Sequence, residues 1–314
     1  MDNANAIEVL HLSKNFDKLT AVDEITFEVR SGEIFSLLGP NGAGKSTTIS
    51  MLSCLLRPSS GDAKVMGHSI IKDPKGVKAS IGVVPQDIAL YEDLSARENL
   101  IFWGRMYGLS GQLLKERVDG VLQLIGLEDR QKGRVGKFSG GMKRRVNIGV
   151  AMLHRPQVII MDEPTVGIDP QSRRHILDGI ITLNQAGVTV LYTTHYMEEA
   201  QELSDHIAIM DHGKLIAYGN HDELVQIVGE QDRIDLSLSE PAGLLADQWR
   251  QIEGVQQVTS EGENACMLVE DSNKILPIMF EKAAKANVRI TSVKIQEPNL
   301  ETVFLHLTGR ALRD

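Results

Sequence analysis

Cysteine is nearly absent: the 314 residues include two, Cys54 and Cys266. Neither lies near a second cysteine or a close histidine pair, which argues against a disulfide framework or a structural zinc site and predicts two reduced core thiols. Long apolar runs are missing too. Stretches such as IGVAML (148–153) and VIIM (158–161) fall far short of the ~20 residues that cross a bilayer, so no spanning helix is expected. The start, MDNANAIEVL, has neither a basic n-region nor an apolar h-region, and no secretory leader is expected from it. An excess of positive charge is lacking as well. The 33 Lys and Arg against 42 Asp and Glu give −9, the wrong sign for gripping a phosphate backbone, so no nucleic-acid partner is expected. What remains, 42% hydrophobic and 24% charged residues without low-complexity tracts, is the composition of a globular chain of about two domains.

The first part of the chain, 1–225, alternates short β-branched runs with helical patterns, the rhythm of an α/β domain with a mostly parallel sheet. IFSLLG (34–39), IGVVPQ (81–86), VIIMDE (158–163), VTVLYTT (188–194) and HIAIMD (206–211) are continuous apolar runs, as for strands buried on both faces. IEVLHL (7–12) and ITFEVR (25–30) alternate more and predict an antiparallel β subdomain with one wet face. A helical insertion is expected over about 88–145, where Ser95 and Glu98 have capping-box spacing. The aromatic residues Phe102, Trp103 and Tyr107 within it predict core packing, and Lys143–Arg145 predict a solvated helix face. From 226 to 314 the pattern β-α-β-β-α-β predicts a small α+β domain of ferredoxin-like order.

GPNGAGKST (39–47) fits G-x-x-x-x-G-K-[ST] between a predicted strand and a predicted helix, the mark of a P-loop NTPase. Gly39, Pro40, Asn41, Gly42, Ala43, Gly44, Lys45, Ser46 and Thr47 are expected to form a phosphate cradle at the helix start, through backbone N–H groups at every position but the proline. Lys45 would reach the β- and γ-phosphates and the Ser46 hydroxyl would ligate Mg²⁺. VIIMDEPT (158–165) sets two carboxylates at the end of a buried strand, the edge where ligands of open α/β sheets bind. Asp162 is expected to hold Mg²⁺ and Glu163 to act as general base toward water.

With these residues in place, FSGGMKRRVNIGVAMLHRPQVIIMDEPTVGIDP (138–170) resembles the core of the ATP-binding cassette (ABC) transporter ATPases. Five motifs fall in that family's order over residues 16 to 195. The resemblance implies a Q-loop glutamine at Gln86, which also serves the metal, and a switch histidine at His195. With Glu163 and Lys45 these form the implied catalytic set. It implies an aromatic at Phe16 stacked on adenine, and two copies, or this chain and a related ATPase, paired head to tail around two ATP molecules. Ser139, Gly140 and Gly141 of one copy would then face the phosphate loop of the other, with Asp169 touching the partner's site. The physics agrees, because Ser139–Gly141 open a predicted helix and form a second anion-binding end. The ending EPNLETVFLHLTGRALRD resembles the drug-export-type members, whose ATPases lie at the cytoplasmic face of the inner membrane and serve a separate integral membrane permease. The 226–314 domain would then be regulatory or dimer-stabilising. The chain departs from the pattern in FSGGM for LSGGQ, GIDP for GLDP and Phe16 for the more frequent tyrosine, but the signature keeps its serine and both glycines, so ATP hydrolysis is expected to survive. The alternative is a soluble ABC ATPase acting on a cytosolic assembly, against which stand the single phosphate loop and the short helical insertion.

Overall fold

The computed structural model describes residues 5–227, 232–296 and 299–308. They form two compact units that part between Asn220 and His221, one short helix ahead of the change in pattern at 226. Among the described residues no helix is long and apolar enough to cross a membrane.

The first unit runs β1 (Asn5–Phe16), β2 (Leu19–Arg30), β3 (Ile34–Leu38), α1 (Lys45–Leu52), β4 (Ser60–Val65), β5 (His68–Ser69), α2 (Pro74–Ser80) and β6 (Ile81–Val84). It continues with α3 (Ala96–Met106), α4 (Gly111–Leu124), α5 (Gly140–Met152), β7 (Val158–Asp162), α6 (Pro170–Gln185), β8 (Thr189–Thr194), α7 (Met197–Leu203), β9 (His206–Asp211) and β10 (Lys214–Gly219). The central sheet has the order β10-β9-β3-β8-β7-β6. Its β3, β6, β7, β8 and β9 pair in parallel, and β10 is an antiparallel edge. The continuous apolar runs follow from burial on both faces. Ile159 and Met161 of β7 enter one core with the helices α3 to α6, whereas Val158 and Ile160 enter a second with β1, β2 and α1.

The antiparallel subdomain has the order β2-β1-β4-β5. In β2 the residues Ile25, Phe27 and Val29 point inward and Thr26, Glu28 and Arg30 outward, a clean period of two. β4, SGDAKV, is invisible to sequence reading because its composition is not that of a strand; pairing with β1 makes it one. The helical insertion begins with the expected capping box: Glu98 N–H donates to Ser95 Oγ (3.2 Å) and Ser95 N–H to Glu98 Oε2 (2.8 Å). Both cysteines are free, but they are half-exposed rather than core thiols. Cys54 follows α1 and Cys266 lies in a strand of the second unit, and partial burial pushes both thiols up.

The second unit holds α8 (His221–Gln226), β11 (Asp232–Leu238), α9 (Gly243–Trp249), β12 (Val255–Glu261), β13 (Asn264–Val269), α10 (Ser272–Lys285), β14 (Ile290–Gln296) and α11 (Leu300–Thr308). Its sheet, β12-β13-β11-β14, is antiparallel throughout. That order completes the β-α-β-β-α-β arrangement in ferredoxin-like form. Trp249, Met267 and Met279 centre its own core, and Trp249 Nε1 donates to the Met279 carbonyl at 3.4 Å.

Candidate functional site

The chain leaves β3 into the glycine-rich loop and enters α1 at Lys45. Gly44 caps this helix with φ of 105°, and a Cβ there would stand 2.5 Å from the Ala21 carbonyl oxygen. Only glycine meets both demands. The Lys45 ammonium, 4% exposed, donates back to the carbonyls of Gly39 (2.6 Å) and Pro40 (3.1 Å) and sits 3.1 Å from Glu163 Oε1. Its three protons are thereby directed at the loop's own curve and at one carboxylate.

That carboxylate is the meeting point of the site. Gln86, two residues past β6, donates from Nε2 to Glu163 Oε2 at 3.3 Å. His195, directly after β8, places Nδ1 3.4 Å from Glu163 Oε1. Three parallel strands thus deliver Gln86, Glu163 and His195 to one sheet edge, opposite Lys45. Beside them Ser46 Oγ donates to Asp162 Oδ1 at 3.2 Å. A hydroxyl and a carboxylate are hard oxygen donors, and two such groups suit Mg²⁺, which fills its remaining positions with water and substrate phosphates. Among the described residues no three His, Cys, Asp or Glu side chains converge on a metal-sized site.

The turn from Asp162 to Glu163 is strained. Glu163 has φ of 44°, a left-handed conformation that costs a non-glycine residue about 1 kcal/mol or more. Thr193 on the neighbouring strand holds it there. The Glu163 N–H donates to Thr193 Oγ1 (3.0 Å) and to the Thr193 carbonyl (3.2 Å), while Thr193 Oγ1 donates to Asp162 Oδ1 (2.7 Å).

Phe16, Asn41, Gly42, Lys45, Gln86 and Glu163 border a common cleft of about 560 Å³. Phe16 ends β1, is 44% exposed, and has the Lys14 ammonium 5.0 Å from its ring centroid. An open ring face beside backbone N–H groups at a helix start suits a flat base with attached phosphates.

Ser139, Gly140, Gly141 and Asp169 do not line this cleft. They form a second cluster where α5 and α6 begin. Ser139 caps α5, accepting from Met142 N–H at 3.3 Å, and Asp169 caps α6, accepting from Ser172 N–H at 2.9 Å. A Cβ on Gly141 would stand 2.2 Å from the Ser172 Cβ, so the two helix starts pack as closely as glycine allows. The Ser172 N–H and hydroxyl hold the Asp169 carboxyl below its ordinary range. Ser139 and Gly140 are exposed, and the α5 terminus opens to solvent.

Sequence reading missed three residues around these clusters. Thr193 is one. Glu199, 3% exposed, accepts at Oε2 from the hydroxyls of Thr165 (2.9 Å), Tyr192 (2.7 Å) and Thr194 (3.0 Å). It thus braces both the turn after Glu163 and the end of β8, just before His195. Arg144 is the third and corrects the expectation of a solvated face over Lys143–Arg145. It is 3% exposed and donates to the Pro85 and Gln86 carbonyls. Arg145 turns inward to the Ile125 carbonyl at 3.0 Å, and Lys143 pairs with Glu92 at 2.5 Å.

Comparison with known proteins accords with this geometry. The ABC transporter family model matches residues 22–166. The chain is 46% identical over 310 residues to the linearmycin resistance ATP-binding protein LnrL of Bacillus subtilis (strain 168), covering 98% of this chain and 100% of that one. It is 37% identical over 300 residues to the doxorubicin resistance ATP-binding protein DrrA of Mycobacterium tuberculosis (strain ATCC 25618 / H37Rv), covering 93% and 89%. Among solved structures it is similar to cbiO1 from Clostridium perfringens, part of the ABC transporter complex cbiONQ, with a TM-score of 0.64 and 29% identity over 71% of this chain and 94% of that one. The chain belongs to the ATP-binding proteins of ABC transporters, and its activity is the binding and hydrolysis of ATP to power transport.

Proposed function

We propose that the chain energises export through a separate integral membrane permease, working as a head-to-tail pair at the cytoplasmic face of the membrane. The observation that carries the reading is the convergence of Lys45, Gln86 and His195 on Glu163 beside the Ser46–Asp162 pair. Relatives that match along nearly the whole chain are named for resistance to linearmycin and doxorubicin, which favours outward transport.

In this reading the phosphate loop binds the triphosphate through its N–H groups, and Lys45 leaves Glu163 to neutralise the β- and γ-phosphates. Ser46 and Asp162, with Gln86, would hold Mg²⁺, which would supply positive charge to offset that of the bound triphosphate. Glu163, freed of Lys45, takes a proton from the attacking water as general base. His195 orients the terminal phosphate, and Phe16 stacks on the base. The exposed α5 terminus at Ser139–Gly141 has no phosphate loop of its own, and a second copy's γ-phosphate is the anion it suits. ATP then joins the two copies and hydrolysis releases them, a ligand-driven shift between two states. The 221–311 unit serves as an accessory domain that stabilises or regulates the pair. Tyr91 and Met106, 48% and 68% exposed on the helical insertion, offer apolar surface for a permease segment.

The paired state is tested by light scattering of the Glu163→Gln chain. With ATP the mass should double, and with ADP or with Ser139→Arg it should remain that of one chain. A single-chain mass under all conditions would contradict the shared site.

A further inference from the structure

Arg144 lies five residues after Ser139 on α5, about 7.5 Å along the helix axis. Its guanidinium is buried and gives Nη1 to the Pro85 carbonyl at 2.6 Å and Nη2 to the Gln86 carbonyl at 2.5 Å. Its Nε, also buried, has no acceptor among the described residues, so the two loop carbonyls carry the compensation for burying this cation. Burial pushes the group down, and the nearby Asp87, Tyr192 and Asp162 oppose that push.

The two carbonyls bracket the backbone of Gln86. A planar fork on consecutive carbonyls fixes both position and rotation of a peptide, which a single donor cannot do. Gln86 is otherwise exposed, and its side chain bridges 3.3 Å to Glu163 Oε2. We propose that Arg144 is a positioning residue: from the helix that begins at Ser139 it clamps the Gln86 backbone and so sets the Gln86 amide against Glu163. The proposal rests on the roles given above to Gln86 and Glu163. It has a consequence for the shared site. A rigid helix with an anion-binding end and a clamp on the Q-loop carries any displacement of its first turn to the neighbourhood of the general base.

The test is a double-mutant cycle in ATP turnover with Arg144→Lys, Gln86→Ala and the combined variant, read beside affinity for a fluorescent ATP analogue and melting temperature. Arg144→Lys keeps the charge and loses the fork. Nucleotide affinity should stay within about twofold, and kcat should fall about 10- to 100-fold, the scale of a small misplacement at a reacting centre. In the Gln86→Ala background the same change should cost less than about twofold, because its target is gone. An equal loss in both backgrounds would overturn the positioning role. Arg144→Gln, with one amide donor, runs through the same cycle, and loss of folding in both Arg144 variants beside a folded Gln86→Ala would also overturn it. Wild-type turnover in Gln86→Ala would instead remove the role of Gln86 on which the proposal rests.

Discussion

The Thr193 hydroxyl donates to Asp162 Oδ1 at 2.7 Å and accepts from the Glu163 N–H at 3.0 Å. One buried hydroxyl on β8 thus orients the carboxylate read as a metal ligand and pins the strained backbone of the carboxylate read as general base. Both carboxylates take their placement from a neighbouring strand rather than from their own.

Thr193→Val keeps shape and removes the hydroxyl. Asp162 then loses a buried donor, at a cost of about 1–3 kcal/mol, and Glu163 is released from one of its two backbone restraints. The melting temperature should fall by several degrees, and turnover should fall more than nucleotide affinity. Calorimetry and steady-state ATPase assays on one preparation check this, and wild-type turnover would show that the hydroxyl does not organise the site.

Glu163→Gln keeps the size of the side chain and removes its basicity and its charge. ATP binding should persist while turnover drops ~10²–10⁴-fold, the usual share of a general base. Equilibrium binding and phosphate release measure the two separately. Near-normal hydrolysis would take Glu163 out of that role.

His154 offers a pH signature unconnected with the site. Burial holds its imidazole below the ordinary 6.5, partly offset by its bond to the Ile81 carbonyl. A depressed base favours the unfolded chain once protons are taken up. Stability is therefore full above pH 6.5 and declines as pH falls from 6.5 toward the folded value. The loss of melting temperature between pH 7.5 and 5.5 should be smaller in His154→Gln than in wild type. An identical loss would mean that other groups set the acid response.

The second unit has its own core, and the cleft residues all precede Asn220. Removing 221–314 should leave a folded chain that binds ATP with unchanged affinity. A folded product that fails to bind would make the second unit part of the site.

The phosphate loop was legible in sequence because its conformation is local: glycine at 44 and a strand-to-helix turn are written within nine residues. Ser95 and Glu98 were legible for the same reason. The convergence of Gln86, Glu163 and His195 is different, since it depends on β6, β7 and β8 being sheet neighbours, and only the family's motif order pointed to it. Thr193 left no mark at all. In VTVLYTT it reads as one more β-branched strand former, and its hydrogen-bond partners Asp162 and Glu163 lie 31 and 30 residues away. Arg144 was misread because a basic triplet with alternating neighbours looks like a wet face until the Q-loop packs over it. Strands such as β4 were missed because pairing with β1, not composition, makes them strands.

ATP hydrolysis by this chain is expected to drive a separate permease. Tagged Glu163→Gln chain, recovered with ATP from detergent-solubilised cells and analysed by mass spectrometry, tests it most directly. A membrane protein with many spans should be recovered in near-equal amount. Recovery of ribosomes or soluble factors alone would contradict it.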